Sequence, residues 1–355
     1  MHEMILGQPG FVAETLRRLA GLDGESFLPS PIRIVVTGCG TSFHAARYGA
    51  RVLQAALGRR ATVHSIHAYD LLNGPEQVRG TTVLGVSHSG ATETTNRALA
   101  RARRNGARVL AMCGVGGSPM ERVAHRSIIL GTVHDQSWAN TMSYTTQLTA
   151  FAFLAASVGI ARSSSGASVR KVPALLRHAL RCEEASRKVA RQLAARERVT
   201  FLGTGLDEIT ALEAALKIRE TCSLTASGYH TEQFLHGPFL SIAGGDSIVV
   251  LRSCDDGPRA AWILGGLRSA GAYLATFGDG KGVDVPTPSA PAWLRPIVSV
   301  VPMQFLAYYT ALARKANPDI MRSDVRRYRA GLELLFTWRP RRGSSGPRSR
   351  PRRRS

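Results

Sequence analysis

Glu213, Lys217 and Glu220 stand at i, i+4 and i+7 in the run Leu212-Glu213-Ala214-Ala215-Leu216-Lys217-Ile218-Arg219-Glu220. On a helix all three share one face. Such a row can be a solvent-exposed set of ion pairs. Here Ala214, Ala215, Leu216 and Ile218 are small or apolar, which predicts a largely buried helix. A charged row on a buried helix suggests a lined pocket, and a carboxylate in it can act as a general acid or base. Further along comes His236-Gly237-Pro238, an imidazole beside a rigid Gly-Pro turn. Histidine exchanges a proton near neutrality, so His236 is either a second acid–base group or a structural turn residue.

A different chemistry is written in Ser87-His88-Ser89-Gly90-Ala91-Thr92. It follows an apolar run over 82–86 and precedes a helical pattern over 93–104. Strand, hydroxyl-rich turn and helix together make an oxyanion cradle. The helix N-terminus offers unpaired N–H groups and partial positive charge, the hydroxyls add donors, and Gly90 allows close backbone approach. The plainer alternative is a serine cap on the helix. Gly38-Cys39-Gly40-Thr41-Ser42 is a second hydroxyl-bearing turn at the end of a β-branched run. It lacks the third glycine of the dinucleotide fingerprint, which argues against NAD.

These loops need a scaffold, and the pattern supplies one. Expected strands fall at 32–38, 62–66, 82–86, 108–113 and 127–130, with helices at 42–57, 93–105 and 144–158. A Ser/Gly-rich linker is expected at 159–167, then a bridging helical stretch over 171–196. The second series has strands at 199–203, 247–252, 273–277 and 297–300, with helices at 208–222, 257–270 and 302–316. Strands alternating with helices predict α/β architecture, an open parallel sheet with helices on both faces. The matching openings Thr37-Gly38 and Gly203-Thr204-Gly205 predict a tandem duplication. The expected organisation is an N-terminal helical segment (1–30), a first domain (31–160), a linker and bridging helix (161–196), a second domain (197–338) and a disordered Arg-rich tail (339–355). Ligands of such sheets lie beyond the carboxyl ends of the strands, so the 40–42 and 87–92 loops are expected to share one phosphate pocket.

The net charge of +21 invites a nucleic-acid reading, but its distribution weakens it. Residues 339–355 carry eight Arg and no acid. A segment of that composition cannot bury a core and offers non-specific contacts at most. No helix-turn-helix or aromatic-interleaved basic strand is evident, so neither nucleic acid nor membrane is an expected partner. The five cysteines are scattered without metal-ligand spacing, which fits a reducing, cytoplasmic location.

The chain resembles the sugar isomerase (SIS) domain family, and within it the isomerase portion of the glutamine:fructose-6-phosphate aminotransferases. The likeness rests on Glu3-Met-Ile-Leu-Gly-Gln8-Pro9, Cys39-Gly-Thr-Ser42, Ser87-x-Ser-Gly-x-Thr92, Thr145-Thr-Gln-Leu148, Leu212-Glu-x-Ala-Leu-Lys217-x-x-Glu220 and His236-Gly-Pro238. It implies two tandem SIS domains and a homodimer with shared active sites. Ser42, Ser87, Ser89 and Thr92 match phosphate-binding positions, and Gly40, Thr41, His88 and Asn140 are expected beside the substrate. Glu220 matches the base that moves a proton between C1 and C2 of an open-chain sugar. His236 matches the ring-opening residue, donated across the dimer interface. Glu213 and Lys217 match polar residues lining the site. No metal or redox cofactor is implied.

The departures are informative. No glutaminase sequence precedes the likeness, so ammonia or amine is expected from a separate source. His88 replaces the usual Gln, Gln233 a Glu, and the stretch 138–142 one richer in Ser, Thr and Lys. The segment Arg322-Ser-Asp-Val-Arg-Arg-Tyr-Arg329 carries Arg where the family has a reactive Lys, and Arg is too basic to form an imine. The expected function is isomerisation of amino- or amine-substituted hexose 6-phosphates, by amine transfer, deamination or deglycation. A non-catalytic sugar-phosphate-binding regulator is the alternative.

Overall fold

The computed structural model describes residues 1–28, 33–159 and 162–337. Three helices open the chain: α1 (His2–Leu6), α2 (Gln8–Leu19) and α3 (Gly24–Phe27). The first sheet and its helices follow as β1 (Arg33–Gly38), α4 (Thr41–Leu57), β2 (Thr62–His67), α5 (Ala68–Asn73), β3 (Thr82–Ser87), α6 (Glu93–Arg104), β4 (Arg108–Cys113), α7 (Pro119–Val123), β5 (Arg126–Ile129) and α8 (Met142–Val158). A bridge of α9 (Arg162–Arg170), α10 (Val172–Ala179) and α11 (Glu183–Ala194) leads to the second series. That series is β6 (Arg198–Gly203), α12 (Asp207–Cys222), β7 (Thr225–His230), α13 (Thr231–Leu235), β8 (Asp246–Arg252), α14 (Arg259–Ser269), β9 (Tyr273–Gly278), β10 (Val285–Pro286) and α15 (Arg295–Ala313). Met1–Met321 form one unit; a second, Arg322–Ser355, contains α16 (Arg326–Thr337).

Both sheets are parallel throughout and have the same strand order. The first runs β2-β1-β3-β4-β5 and the second, read in the matching direction, β7-β6-β8-β9-β10. In each, the order reverses between the first and third strands, which is where open α/β sheets bind ligands. The register Ile34↔Thr82 through Thr37↔Gly85 brings the turn after β1 and the turn after β3 to the same sheet end. The expected α/β fold with two tandem sheets is the one adopted.

The core explains which helices can hold a site. Nearly all of α8 is buried, including Tyr144, Leu148, Phe151 and Leu154, because it packs on α4, α2 and α15. Helix α15 lies against α11 and α12. It is long and apolar enough to cross a membrane by composition alone, but 78% of its apolar window is buried inside the protein, as for a core helix. Helix α12 packs on β6 and β7 of its own half and also touches α4 of the other. That contact joins the two halves.

Several expected elements change. The run over 297–300 belongs to α15, not to a strand. Its β-branched residues look like a strand, but burial against helices decides the conformation, and Pro302 is tolerated inside. The fifth strand of the second sheet is instead the two-residue β10, an edge strand ending in Pro286, where a missing N–H is tolerated. The linker expected at 159–167 is largely helical, as α9. Strand β7 was not expected, since Thr225-Ala-Ser-Gly228 is weakly β-forming. Gly228 is needed there: a Cβ would come within 2.6 Å of the Ala211 carbonyl oxygen, so α12 can lie close on the strand. The expected domain boundaries at 30–31 and 160–161, and the tail over 339–355, fall outside the described residues.

Candidate active site

The charged row of α12 is buried as its apolar neighbours required. Glu213 is 1% exposed, Lys217 0% and Glu220 16%. Lys217 Nζ donates to Glu220 Oε2 at 2.6 Å, to Thr41 Oγ1 at 2.9 Å and to the Ala139 carbonyl, and lies 3.3 Å from Glu213 Oε1. Thr41 Oγ1 donates to Glu213 Oε1 at 3.0 Å, and His44 Nδ1 lies 2.6 Å from Glu213 Oε2. One helix thus supplies the charges, and the first turn of α4 supplies the groups that hold them.

Burial and charge act differently on the three groups. Burial raises the Glu213 carboxyl, but Lys217, His44 and Thr41 outweigh it, so it is held below its ordinary range. Burial also raises Glu220, and Lys217 only partly opposes this, so Glu220 stays above that range. Burial disfavours the Lys217 ammonium, yet Glu213 and Glu220 more than offset it and keep it protonated. Two carboxyls pushed apart around one cation is the pattern of a site with divided acid–base roles. Lys217 is a fixed charge here, not a free amine.

The 87–92 turn is ordered by its own hydroxyls. Ser87 Oγ accepts from Gly90 N at 3.1 Å and lies 3.1 Å from Thr92 Oγ1. Ser89 is exposed, and its Oγ accepts from Ala91 N at 3.2 Å. Gly90 has φ +60°, and a Cβ there would sit 2.3 Å from Ser118 Oγ, so no other residue fits. Thr92 is the residue before α6 and makes no side-chain cap bond. At the neighbouring turn, Gly40 leads into α4 and Ser42 Oγ accepts from Gln147 Nε2 at 3.2 Å.

His88 is engaged by the 131–140 loop. Its Nε2 accepts from Asp135 N at 2.8 Å, and its Nδ1 is buried without a hydrogen-bond partner among the described residues. Burial lowers its proton affinity, with Asp135 opposing and His134 adding to the effect. Asp135 in turn accepts from Ser143 N at 3.0 Å and Ser137 N at 3.1 Å. His88 therefore pins the 131–140 loop, whose Ala139 carbonyl meets Lys217. Asn140, at φ +53°, bonds Trp138 O at 3.0 Å and Ser143 Oγ at 3.2 Å.

His236 is not brought to the cluster. It is exposed at the end of α13 and makes no hydrogen bond or ion pair among the described residues. In the C-terminal unit, Arg322 Nη1 donates to Tyr328 Oη at 2.9 Å. A cavity of 570 Å³ lies between Arg51, Ala55, Ala155, Gly205, Leu206 and Trp293. It is apolar, contains no predicted site residue, and its Arg51 is engaged by the Gly205 carbonyl at 2.8 Å and Glu208 at 3.1 Å. Sequence reasoning missed His44 and Gln147. His44 was accessible to it, since Thr41 and His44 at i and i+3 share a helix face. Among the described residues no group of three or more His, Cys, Asp or Glu side chains is placed to hold a metal.

Residues 27–157 match the model of the SIS domain. A glutamine–fructose-6-phosphate aminotransferase (isomerizing) from Thermococcus kodakarensis is 30% identical over 311 residues, covering 81% of this chain and 50% of that protein. The chain thus spans about half the length of the curated relatives it matches. Among solved structures, the C-terminal domain of glucosamine-fructose-6-phosphate aminotransferase from Francisella tularensis superposes with a TM-score of 0.81 at 21% identity, over 90% of this chain and 97% of that one. Glucosamine-6-phosphate deaminase from Thermotoga maritima gives 0.71 at 19% identity, over 90% and 96%. At such identities the structures speak for the fold alone. Residues 27–157 of this chain thus belong to the SIS domain family.

Proposed function

We propose that this chain is a sugar-phosphate isomerase that interconverts aldose and ketose forms at C1 and C2 of hexose 6-phosphates bearing an amino or amine substituent. The observation that carries the reading is the buried row of α12, in which Lys217 Nζ lies 2.6 Å from Glu220 and 3.3 Å from Glu213 and donates to Thr41 of the hydroxyl-rich turn at 2.9 Å. In this reading the turns at 40–42 and 87–92 receive the phosphate with hydroxyls and helix N-terminal N–H groups. Glu220, whose proton affinity is raised, takes the proton from one carbon of the open-chain sugar. The C–H pair becomes the C1=C2 double bond of an enediol or aminoenol as the carbonyl or imine π pair moves onto its own oxygen or nitrogen, which takes a proton from solvent. On collapse the heteroatom on the other carbon releases its proton to form the new C=O or C=N bond, and the same carboxyl returns its proton to the former carbonyl or imine carbon. Lys217 keeps Glu220 in place, and Glu213 keeps Lys217 charged.

Two chemistries fit: interconversion of glucosamine 6-phosphate and fructose 6-phosphate with free ammonia, and release of an amine from a fructosamine 6-phosphate. The first is the kind of conversion named for the aminotransferase and the deaminase this chain is similar to; the second is the same proton transfer followed by loss of a substituted amine. Lys217, tied to several acceptors, does not serve as an imine-forming amine in this reading. The exposed His236 would open the ring in the site of a second copy of the chain. The test is turnover: purified protein is incubated with glucosamine 6-phosphate, a fructosamine 6-phosphate and plain hexose 6-phosphates, and ammonia, amine and ketose are followed. We expect conversion by the native chain and its loss in Glu220→Gln. Tight binding of these sugars without conversion would make the protein a sugar-phosphate-binding regulator instead.

A further inference from the structure

His44 lies outside the charged row of α12, yet it makes one of the shortest bonds to it. Its Nδ1 is 2.6 Å from Glu213 Oε2. An ionised carboxylate only accepts, so Nδ1 carries the proton. The bond follows from the sequence of α4. Thr41 and His44, at i and i+3 in its first turn, both reach α12 where the two halves meet.

Glu213 is thereby held on both oxygens. Oε1 takes the Thr41 hydroxyl at 3.0 Å and faces Lys217 at 3.3 Å, while the bond recorded at Oε2 is that of His44. Glu213 is almost fully enclosed, so without His44 one oxygen of a buried carboxylate would lack a donor, a costly state. The carboxylate would turn or take up a proton, and Lys217 would lose its fixed counter-charge. Lys217 in turn holds Glu220 at 2.6 Å. The imidazole itself stays reachable. It keeps 15% of its exposure, and Nε2 makes no hydrogen bond among the described residues and is not among the atoms sealed from solvent.

We propose that His44 is a positioning residue of this site: it fixes the Glu213 carboxylate that orients Lys217, and through Lys217 it sets the place of Glu220. The role rests on the proton transfer assigned to Glu220 above. It acts on the chemical end of the sugar and leaves the phosphate turn at 87–92 untouched. A misplacement of about 1 Å at a reacting group costs about 100-fold in rate.

The test compares His44→Leu, which removes the donor, with His44→Asn, whose amide N–H can replace it. His44→Leu should lower kcat about 10- to 100-fold with KM changed less than about threefold, and His44→Asn should recover most of the lost kcat. In parallel, ¹⁵N NMR of the native protein, with His44 assigned by its absence in His44→Asn, should show a protonated Nδ1 whose signal moves in Glu213→Gln. This readout needs no turnover. If the native chain converts no sugar phosphate, the functional reading falls while the His44–Glu213 bond is still judged. The proposal is overturned by a bare Nδ1, by a kcat within about twofold of native in His44→Leu, by a KM that rises as steeply as kcat falls, or by a folded His44→Asn with no rescue. If His44→Leu does not fold, His44→Asn and the NMR signature decide.

Discussion

The two halves share one strand order, but their crevices have opposite chemistry. In the first, the turns at 38–42 and 87–92 carry hydroxyls, glycines and no acid. In the second, the equivalent turns at 203–207 and 252–257 carry Asp207, Asp255 and Asp256. There Arg295 spans the crevice, 2.8 Å from Asp207 and 3.3 Å from Asp255, and Arg252 pairs with Asp256 at 2.7 Å. Three carboxylates with their cations already engaged repel a phosphate rather than receive it. In the proposed reading the two halves share a scaffold and divide the work: the first offers the anion cradle, and the second offers, on the helix α12 that corresponds to α4, the groups that move a proton. Fold is set by strands and packing, and chemistry by loops and one helix face.

The largest expected effect is on the proton-transfer side. Glu220→Gln should lower kcat by about 10²- to 10⁴-fold with little change in melting temperature, measured by steady-state kinetics and thermal unfolding. A near-native rate would move the chemistry off α12. Next is Lys217→Met, which leaves Glu213 and Glu220 facing each other without a cation. Breaking a buried ion pair in this way costs about 3–5 kcal/mol, readable by urea unfolding. A smaller loss would mean the cluster is more solvated than its burial indicates.

The two crevices can be set against each other directly. Ser87→Ala removes the acceptor of Gly90 N–H and the neighbour of Thr92, and should raise KM for a sugar phosphate about tenfold. Ser253→Ala, in the equivalent turn of the second half, should leave KM unchanged; equal effects would erase the distinction. The smallest effect belongs to His88. Its proton affinity is lowered below the ordinary 6.5 by burial, so the unfolded chain takes up a proton before the folded one does. The sign follows: His88 stabilises fully above 6.5, and this contribution is lost as pH falls below it. His88→Gln keeps an acceptor for Asp135 N–H and should flatten that pH dependence of the melting temperature with an unchanged substrate profile. A changed profile would bring residue 88 into the sugar site.

Much of this was legible in the chain, for identifiable reasons. The strands at β1, β3, β4, β6, β8 and β9 are dense in β-branched and other apolar residues, and their turns carry Gly, Ser and Thr, so sheet and cradle could be read together. The buried row 213–220 was readable because its spacing is helical while its neighbours are apolar. What failed were segments whose own preference is overridden by packing. Residues 297–300 are β-branched but sit in α15 among helices. Strand β7 is weak in itself and exists because Gly228 lets α12 approach. The partner of His88 was hidden as well, since Asp135 lies 47 positions away; the helix face shared by Thr41 and His44 was readable, but its partner Glu213 lies 169 positions from His44.

In the proposed reading Glu220 exchanges a proton with the sugar while the first-half turns hold its phosphate. The direct measurement is NMR of glucosamine 6-phosphate, fructosamine 6-phosphate or fructose 6-phosphate incubated with the protein in deuterium oxide. Deuterium is expected at C1 or C2 with the native chain, and none with Glu220→Gln although that variant still binds the sugar phosphate. Exchange that survives in Glu220→Gln, or its absence in the native chain with every one of these sugars bound, would contradict this reading.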